Sequence, residues 1–165
     1  MRGWVLAVPL FPVVFGAGAV LAAVYARPLA RRTALPEGVV FGLLVSLSLI
    51  VAATLSPGVG GVWGPCLHDV AHPLGPRGLL TGSDRSLNTW LFVPLGLFAA
   101  LAARRRPWLL AVAFLVPFAV ELTQRLTPFL GRRCQFQDLV DNTWGLILGA
   151  LLGLLLGILT SWRRG

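Results

Sequence analysis

Long apolar segments, separated by short polar or arginine-containing segments, make up most of this chain. Five of the apolar segments approach the roughly 20 residues that a helix needs to cross a bilayer. Helices satisfy their backbone hydrogen bonds internally, as a span in lipid must. The pattern therefore predicts an all-α membrane protein, a helical bundle of about five transmembrane spans. The predicted spans are residues 4–25, 39–55, 88–103, 108–124 and 138–160.

The segments between the predicted spans are interpreted as connections. Residues 26–38 are predicted to form a basic linker, and Pro9 and Pro12 predict a kink or an irregular start in the first span. Residues 56–87 are dense in glycine and proline, which argues against a regular element there.

Composition supports the membrane class and narrows the partners. The 165 residues are predicted to form one domain, residues 1–165. Hydrophobic residues make up 56% of the chain and mean hydropathy is +0.80, which exceeds the usual values for soluble domains. The net charge of +8 comes from arginines beside the apolar segments, where they would meet lipid headgroups. The expected partner is therefore the lipid bilayer, with no nucleic acid and no cofactor.

The distribution of arginines predicts the orientation. Cytoplasmic ends of membrane spans are enriched in basic residues. The denser group of eight is placed in the cytoplasm, and the other six arginines face outward. This predicts a multi-pass protein of the plasma membrane, with its N-terminus outside and its C-terminus cytoplasmic. The cytoplasmic group is Arg27, Arg31, Arg32, Arg104, Arg105, Arg106, Arg163 and Arg164.

Polar residues are concentrated where the fourth and fifth predicted spans meet, at the predicted outer side. Ionisable residues at the ends of apolar helices are costly unless they pair or face an interior. Glu121 and Asp138 are the candidate catalytic residues, as acid or base, and both are expected to meet Arg132. In the structural alternative, Asp138 caps the fifth helix and Glu121 pairs with Arg132. The predicted polar cluster is Asn88, Glu121, Gln124, Arg132, Asp138, Asp141 and Asn142.

Glycine recurs every four residues along the fifth predicted span. Asp141 continues this series, so the polar cluster and the glycines share one helix face. Small residues at this spacing let two helix backbones approach closely. We predict packing inside the bundle, against the third or fourth span, with dimerisation as the alternative. The glycines are Gly145, Gly149, Gly153 and Gly157.

Histidine and cysteine pairs fall in the predicted outer connections. His68 and His72 have a spacing that can bind zinc, but a third ligand is not evident, so a loop without metal is predicted. Cys66 and Cys134 would lie on the same side of the membrane, where a disulfide is permitted. A disulfide and two free buried thiols both remain open from the sequence.

Two motifs resemble the VanZ-like family of small membrane proteins, over residues 88–157. The first is N-x-x-L-F-x-P-L-G, which begins at Asn88. The second is E-x-x-Q, an arginine-containing loop, an aspartate and N-T-x-G. Gln135 departs from the family pattern, which often has an aspartate three residues after its arginine. The second motif is formed by Glu121, Gln124, Arg132, Asp138, Asn142, Thr143 and Gly145.

The resemblance implies a membrane protein of the cell envelope, related to a protein associated with resistance to teicoplanin. We expect it to modulate surface properties or the glycopeptide-antibiotic response through an outward-facing polar site. A lipid-linked or glycopeptide envelope ligand would fit that site. One alternative is an intramembrane enzyme acting on a lipid-linked envelope substrate, and another is a non-catalytic partner subunit. Enzymatic activity and oligomeric state remain open.

Overall fold

A computed structural model describes residues 8–57, 64–67 and 72–162 of the chain, with side chains up to residue 160. Within these residues, five helices are long and apolar enough to cross a membrane, which confirms the predicted helical bundle. A short helix, α3, and a single 3-10 turn lie in the connections. The elements are α1 (Phe11–Thr33), α2 (Glu37–Thr54), α3 (Pro76–Leu79), α4 (Asp84–Ala103), α5 (Trp108–Leu126), the 3-10 turn (Pro128–Leu130) and α6 (Phe136–Trp162).

The bounds of α1 correct the prediction for the first span. The helix begins at Phe11 with Pro12 in its first turn, where the missing N–H of proline costs no helical hydrogen bond. Of the two alternatives predicted for Pro9 and Pro12, the kink is therefore wrong, and the irregular start is found as a turn at Pro9 and Leu10. The helix continues through Pro28 to Thr33, so most of the predicted linker is helical, because alanine and arginine favour a helix. Ala34, with φ of 58°, ends it in a left-handed conformation.

The start of α4 also differs from the prediction, by four residues. Ser83 is the N-cap, and its hydroxyl accepts a hydrogen bond from the backbone N–H of Ser86 at 3.3 Å. Asp84 follows in the first turn, where a negative charge interacts favourably with the helix dipole. This extra turn brings Arg85 into the helix. The bounds of α2, α5 and α6 differ from the predicted spans by one or two residues.

The connection between α2 and α4 is more ordered than its composition predicted. Besides α3, it contains one parallel β-bridge between Leu67 and Gln135. In this bridge the N–H of Leu67 donates to the carbonyl of Cys134, and the N–H of Phe136 donates to the carbonyl of Leu67. A disulfide joins Cys66 to Cys134, which settles the question that the sequence left open.

Helix α4 is the centre of the bundle. It packs against α2, α5 and α6, whereas α1 packs mainly against α2. In an apolar stretch of 18 residues of α4, half of the residues are buried, compared with 17% in the corresponding stretch of α1. Phe92 and Leu95 of α4 form the main core with Ile50 of α2, Val120 of α5 and Leu146 of α6. The large apolar side chains exposed on α1, α5 and α6 provide the surface that faces lipid.

The closest approach in the bundle is between the backbones of α4 and α6. A Cβ atom on Gly145 would overlap the carbonyl oxygen of Thr89, and one on Gly149 would overlap that of Val93. Gly153 has the same relation to the carbonyl of Leu97, one turn further along both helices. Each pair is separated by 56 residues in sequence, so the two helices run parallel in a fixed register. The glycine face packs inside the bundle, against the third span.

Three arginines join the helix ends at the side of the bundle where α1 and α4 end, which we call the arginine end. Arg104 donates to the carbonyl of Gly157 in α6 at 3.0 Å. Arg105 and Arg106 donate to the carbonyls of Ala34 and Thr33, at the end of α1. Cations are favoured at helix C-termini, so these contacts stabilise the packing of α1 and α6 on the α4–α5 turn.

The α4–α6 contact predicts an asymmetric response to the same substitution at two glycines. Gly149→Ala should destabilise the protein by about 1–3 kcal/mol, because the added methyl group requires the two helices to move apart. Gly16→Ala in α1 is the matched control, since a Cβ there meets no atom within 4 Å. It should be neutral, or stabilising by up to about 1 kcal/mol, from helix propensity alone. Thermal unfolding in detergent measures both, and equal shifts would contradict the assigned contact.

Candidate functional site

The polar residues of the predicted cluster lie at one end of the bundle, opposite the arginine end. Helices α4 and α6 begin here, while α2 and α5 end here. We call this the site end. The side chains come from α4, α5, α6 and the connection between α5 and α6. Residues 64–67 and 72–75 lie next to them and contribute backbone groups.

An ion pair joins the first turns of α4 and α6. The guanidinium of Arg85 donates from Nε to Oδ2 of Asp141 at 2.9 Å and from Nη2 to Oδ1 at 3.0 Å. The Asp141 side chain is 0% exposed, whereas that of Arg85 is 30% exposed. Two parallel bonds to one carboxylate form the strongest geometry of this pair. Arg85 and Asp141 are also 56 residues apart, so they continue the register of the glycine contacts.

Two further groups complete the environment of this ion pair. Gln137, one turn before Asp141, donates from Nε2 to Oδ1 at 3.0 Å. The carbonyl of His72 accepts from both Arg85 and Gln137, so the connection before α3 covers the pair. Asp141 is therefore a satisfied, buried carboxylate. Its surroundings are those of a structural residue.

Asp138 has a different environment from Asp141, although it lies only three residues earlier. Its Oδ1 accepts a hydrogen bond from Nδ2 of Asn88 at 2.9 Å, across the α4–α6 contact. It lies inside the first turn of α6, which begins at Phe136, so it does not occupy the cap position predicted for it. Its side chain is half-buried.

Glu121 lies in the last turns of α5 and reaches the connection to α6. Its Oε2 accepts a hydrogen bond from the backbone N–H of Gln135 at 2.9 Å. In the described part of the chain, no ion pair within 4 Å joins it to Arg132, so that predicted pair is wrong. Glu121 and Asp138 lie close enough for their charges to interact. The structure thus gives both carboxylates neutral hydrogen-bond donors.

Arg132 is the cation closest to this second part of the site. Burial lowers the pKa of its guanidinium below the usual value, and the nearby carboxylate of Asp138 partly offsets that effect. Its Nε is buried without a hydrogen-bond partner among the described residues. The neighbouring Arg133 lies over Gly64 instead. Arg132 therefore lies near Asp138, which in turn lies near Glu121, and no close ion pair joins these three described residues.

Besides Asn88, the cluster has two amide side chains, and their hydrogen bonding differs. Gln124 is buried and donates from Nε2 to the carbonyl of Thr54 at 3.0 Å, so it ties α5 to the end of α2. Asn142 is 2% exposed and lies one turn deeper than Asp138 on α6. Its Oδ1 has no partner among the described residues. Gln124 is thus bonded to α2, whereas Asn142 lies on the same face of α6 as Asp138.

Sequence reasoning missed Arg85 and Gln137. Arg85 was counted only among the outward arginines, because α4 was expected to begin at Asn88. A signal was present: Arg85 lies one turn before Thr89, as Asp141 lies one turn before Gly145. Once α4 and α6 are known to pack in parallel along the glycine face, this spacing places the two charges opposite each other.

The predicted histidine pair is only partly within the described chain. His68 lies outside the described residues. His72 is exposed, and its backbone groups rather than its ring contact Arg85 and Gln137. Among residues 8–57, 64–67 and 72–162, no group of three or more histidine, cysteine or acidic side chains could hold a metal ion.

Residues 67–157, more than half of the chain, match the family described as VanZ/LLP1. The match includes the ion pair, both half-buried carboxylates, the arginine loop and the glycine face. It begins 21 residues before the region that the motifs indicated, and both end at residue 157. No match to a curated protein or to a solved structure was found.

The ion pair predicts unequal costs for its two partners. Arg85→Gln leaves the carboxylate of Asp141 buried without a counter-charge, which should cost about 3–5 kcal/mol. Asp141→Asn should cost less, because the remaining arginine is 30% exposed and can be hydrated. Membrane abundance and thermal unfolding in detergent measure the effects. Arg77→Gln, an exposed arginine of α3, is the control, and the pair would lose its assigned role if Arg85→Gln matched it.

Proposed function

Because the chain belongs to the VanZ/LLP1 family, we propose that it is a multi-pass protein of the cell envelope that acts through an outward-facing polar site. Its effect is on surface properties or on the response to glycopeptide antibiotics. The site consists of Glu121, Asp138, Asn88 and Arg132. Its ligand is the polar part of an envelope molecule, either lipid-linked or a glycopeptide.

One observation carries this proposal: the acidic residues at the site end fall into two groups. Arg85 neutralises Asp141 in a buried pair that joins two helices. Glu121 and Asp138 instead receive hydrogen bonds from the neutral groups of Gln135 and Asn88. Stability alone does not require two half-buried carboxylates without a close cation, because such groups are costly. Residues of this kind are typical of functional sites.

Two independent features support the outward orientation of the site end. The disulfide between Cys66 and Cys134 lies here, and disulfides persist in oxidising compartments outside the cytoplasm. Arginines are concentrated at the opposite end, on α1 and on the α4–α5 turn, as expected for a cytoplasmic side. This orientation places the N-terminus outside and the C-terminus in the cytoplasm.

An intramembrane enzyme acting on a lipid-linked envelope substrate is the second candidate. Glu121 lies near Asp138, and Asp138 lies near Arg132, so one carboxyl could act as acid or base while the arginine binds a phosphate. The partner-subunit alternative has less support. It requires an exposed groove of small residues, and the glycine face is covered by α4.

The site proposal predicts loss of function without loss of protein. Glu121→Gln and Asp138→Asn remove a charge from half-buried groups that have no close ion pair, so membrane abundance should stay near normal. Glycopeptide susceptibility of cells carrying each variant should change to that of cells lacking the protein. The matched comparison is Asp141→Asn, for which abundance and phenotype should fall together. Normal abundance with a normal phenotype in both site variants would end the proposal.

The orientation is tested by reporters fused at Gly165 and within residues 58–61. A fluorescent protein that matures in the cytoplasm should be bright at Gly165, and alkaline phosphatase should be active in the second position. Active phosphatase at Gly165 would reverse the assignment and place the polar site in the cytoplasm.

A further inference from the structure

We infer that residues 64–67, which we call the latch, position Glu121 through the backbone amide of Gln135, and that reduction of the Cys66–Cys134 disulfide releases this carboxyl group. The inference rests on the proposed function only in that Glu121 belongs to the site. Gln135 is then a positioning residue for Glu121, and the position of the Glu121 carboxyl group depends on whether Cys66 and Cys134 are oxidised or reduced.

The geometry of the β-bridge explains how the latch directs this amide. Leu67 uses the groups on either side of Gln135: it donates to the carbonyl of Cys134 at 3.1 Å and accepts from the N–H of Phe136 at 3.0 Å. In an extended chain, the N–H groups of successive residues point to opposite sides. The N–H of Gln135 therefore points away from the latch, and there it donates to Glu121 at 2.9 Å.

The disulfide supplies the restraint that this bridge lacks. Two backbone hydrogen bonds form a single isolated bridge, and short isolated strand pairs are marginally stable in water. The cross-linked residues lie next to the paired ones, Cys66 beside Leu67 and Cys134 beside Gln135, with their Cα atoms 4.8 Å apart. The bond links positions 68 residues apart, so it removes many alternative arrangements of the two connections.

The latch also contacts the arginine loop and lines a small cavity together with Glu121. The guanidinium of Arg133 packs over Gly64, where a Cβ atom would lie 2.7 Å from Nη2. Cys134 is buried, and the disulfide shares one small cavity with the carboxyl group of Glu121. That cavity is lined by Cys66, Glu121, Cys134, Gln135, Phe136 and Leu139.

The redox step balances with an external dithiol as the reductant. The dithiol gives two electrons and two protons, the S–S bond breaks, Cys66 and Cys134 become thiols, and the dithiol becomes its own disulfide. The latch then loses its covalent restraint. The amide of Gln135 exchanges its carboxylate partner for water, and Glu121 no longer has a fixed donor.

Hydrogen–deuterium exchange on the full-length protein in detergent tests the first step. Dithiothreitol reduces the disulfide of the native protein. The Cys66→Ser/Cys134→Ser variant lacks the disulfide without any reductant and should behave in the same way. Exchange at Gln135 should rise about fivefold or more in both, the factor expected for loss of one hydrogen bond of typical net strength. Amides in the core of α4 should not change. Unchanged exchange at Gln135, or an equal rise along all helices, would overturn the inference.

A second variant tests whether the latch acts through Glu121. In Glu121→Ala the amide of Gln135 has already lost its acceptor. Because the effects of coupled groups are not additive, reduction of the disulfide should raise the exchange rate of this amide by less than about twofold. The same increase in this variant as in the native protein would show that the latch does not position the carboxyl group. Exchange is independent of antibiotic phenotype, so a normal phenotype for both Glu121→Gln and Asp138→Asn would remove the proposed function and leave this result standing.

Discussion

The close contact between the backbones of α4 and α6 is the constraint on which the site depends. Glycine at three successive turns of α6 lets the carbonyl groups of α4 enter the space that side chains would fill. Because a larger residue at any of these positions meets backbone atoms, this close approach of the two helices requires glycine at each of them. Contacts of this kind in a membrane come from van der Waals packing and not from exclusion of water, so their precision sets both stability and register.

That register determines which charges meet at the site end. Continued by one turn beyond Gly145, it places Asp141 opposite Arg85. Burial of a carboxylate strongly destabilises the fold unless a counter-charge is close and its oxygens accept further hydrogen bonds. Arg85 supplies the counter-charge of Asp141, and Gln137 donates a further hydrogen bond. The same contact brings Asn88 to Asp138. Packing in the apolar part of the bundle thus fixes hydrogen bonds at its polar end.

The sequence was sufficient for the five long helices, though not for all their bounds, and for the glycine face, because both depend on local periodicity. It was insufficient for pairings that depend on the relative placement of two helices. The Arg85–Asp141 pair needs the α4–α6 register, which the connection through α5 does not reveal. The predicted end of the first span, at residue 25, is wrong because arginines do not end a helix. Arg27, Arg31 and Arg32 lie in the last turns of α1, which continues to Thr33. The disulfide stayed open because loop conformation cannot be read from two isolated cysteines.

The three carboxylates of the polar cluster, Glu121, Asp138 and Asp141, are held by forces of different kinds, and this difference separates structure from proposed function. Asp141 is held by a helix register and a counter-charge, so its position is tied to the fold. Asp138 is held by one amide on the neighbouring helix. Glu121 is held by one backbone amide in a connection that a β-bridge and a disulfide restrain. A carboxyl group held by a single neutral donor can change partner or protonation at little cost to the bundle. The freedom of these carboxyl groups to move without disturbing the α4–α6 contact therefore increases from Asp141, through Asp138, to Glu121, and this order is why the proposed site is centred on the last two.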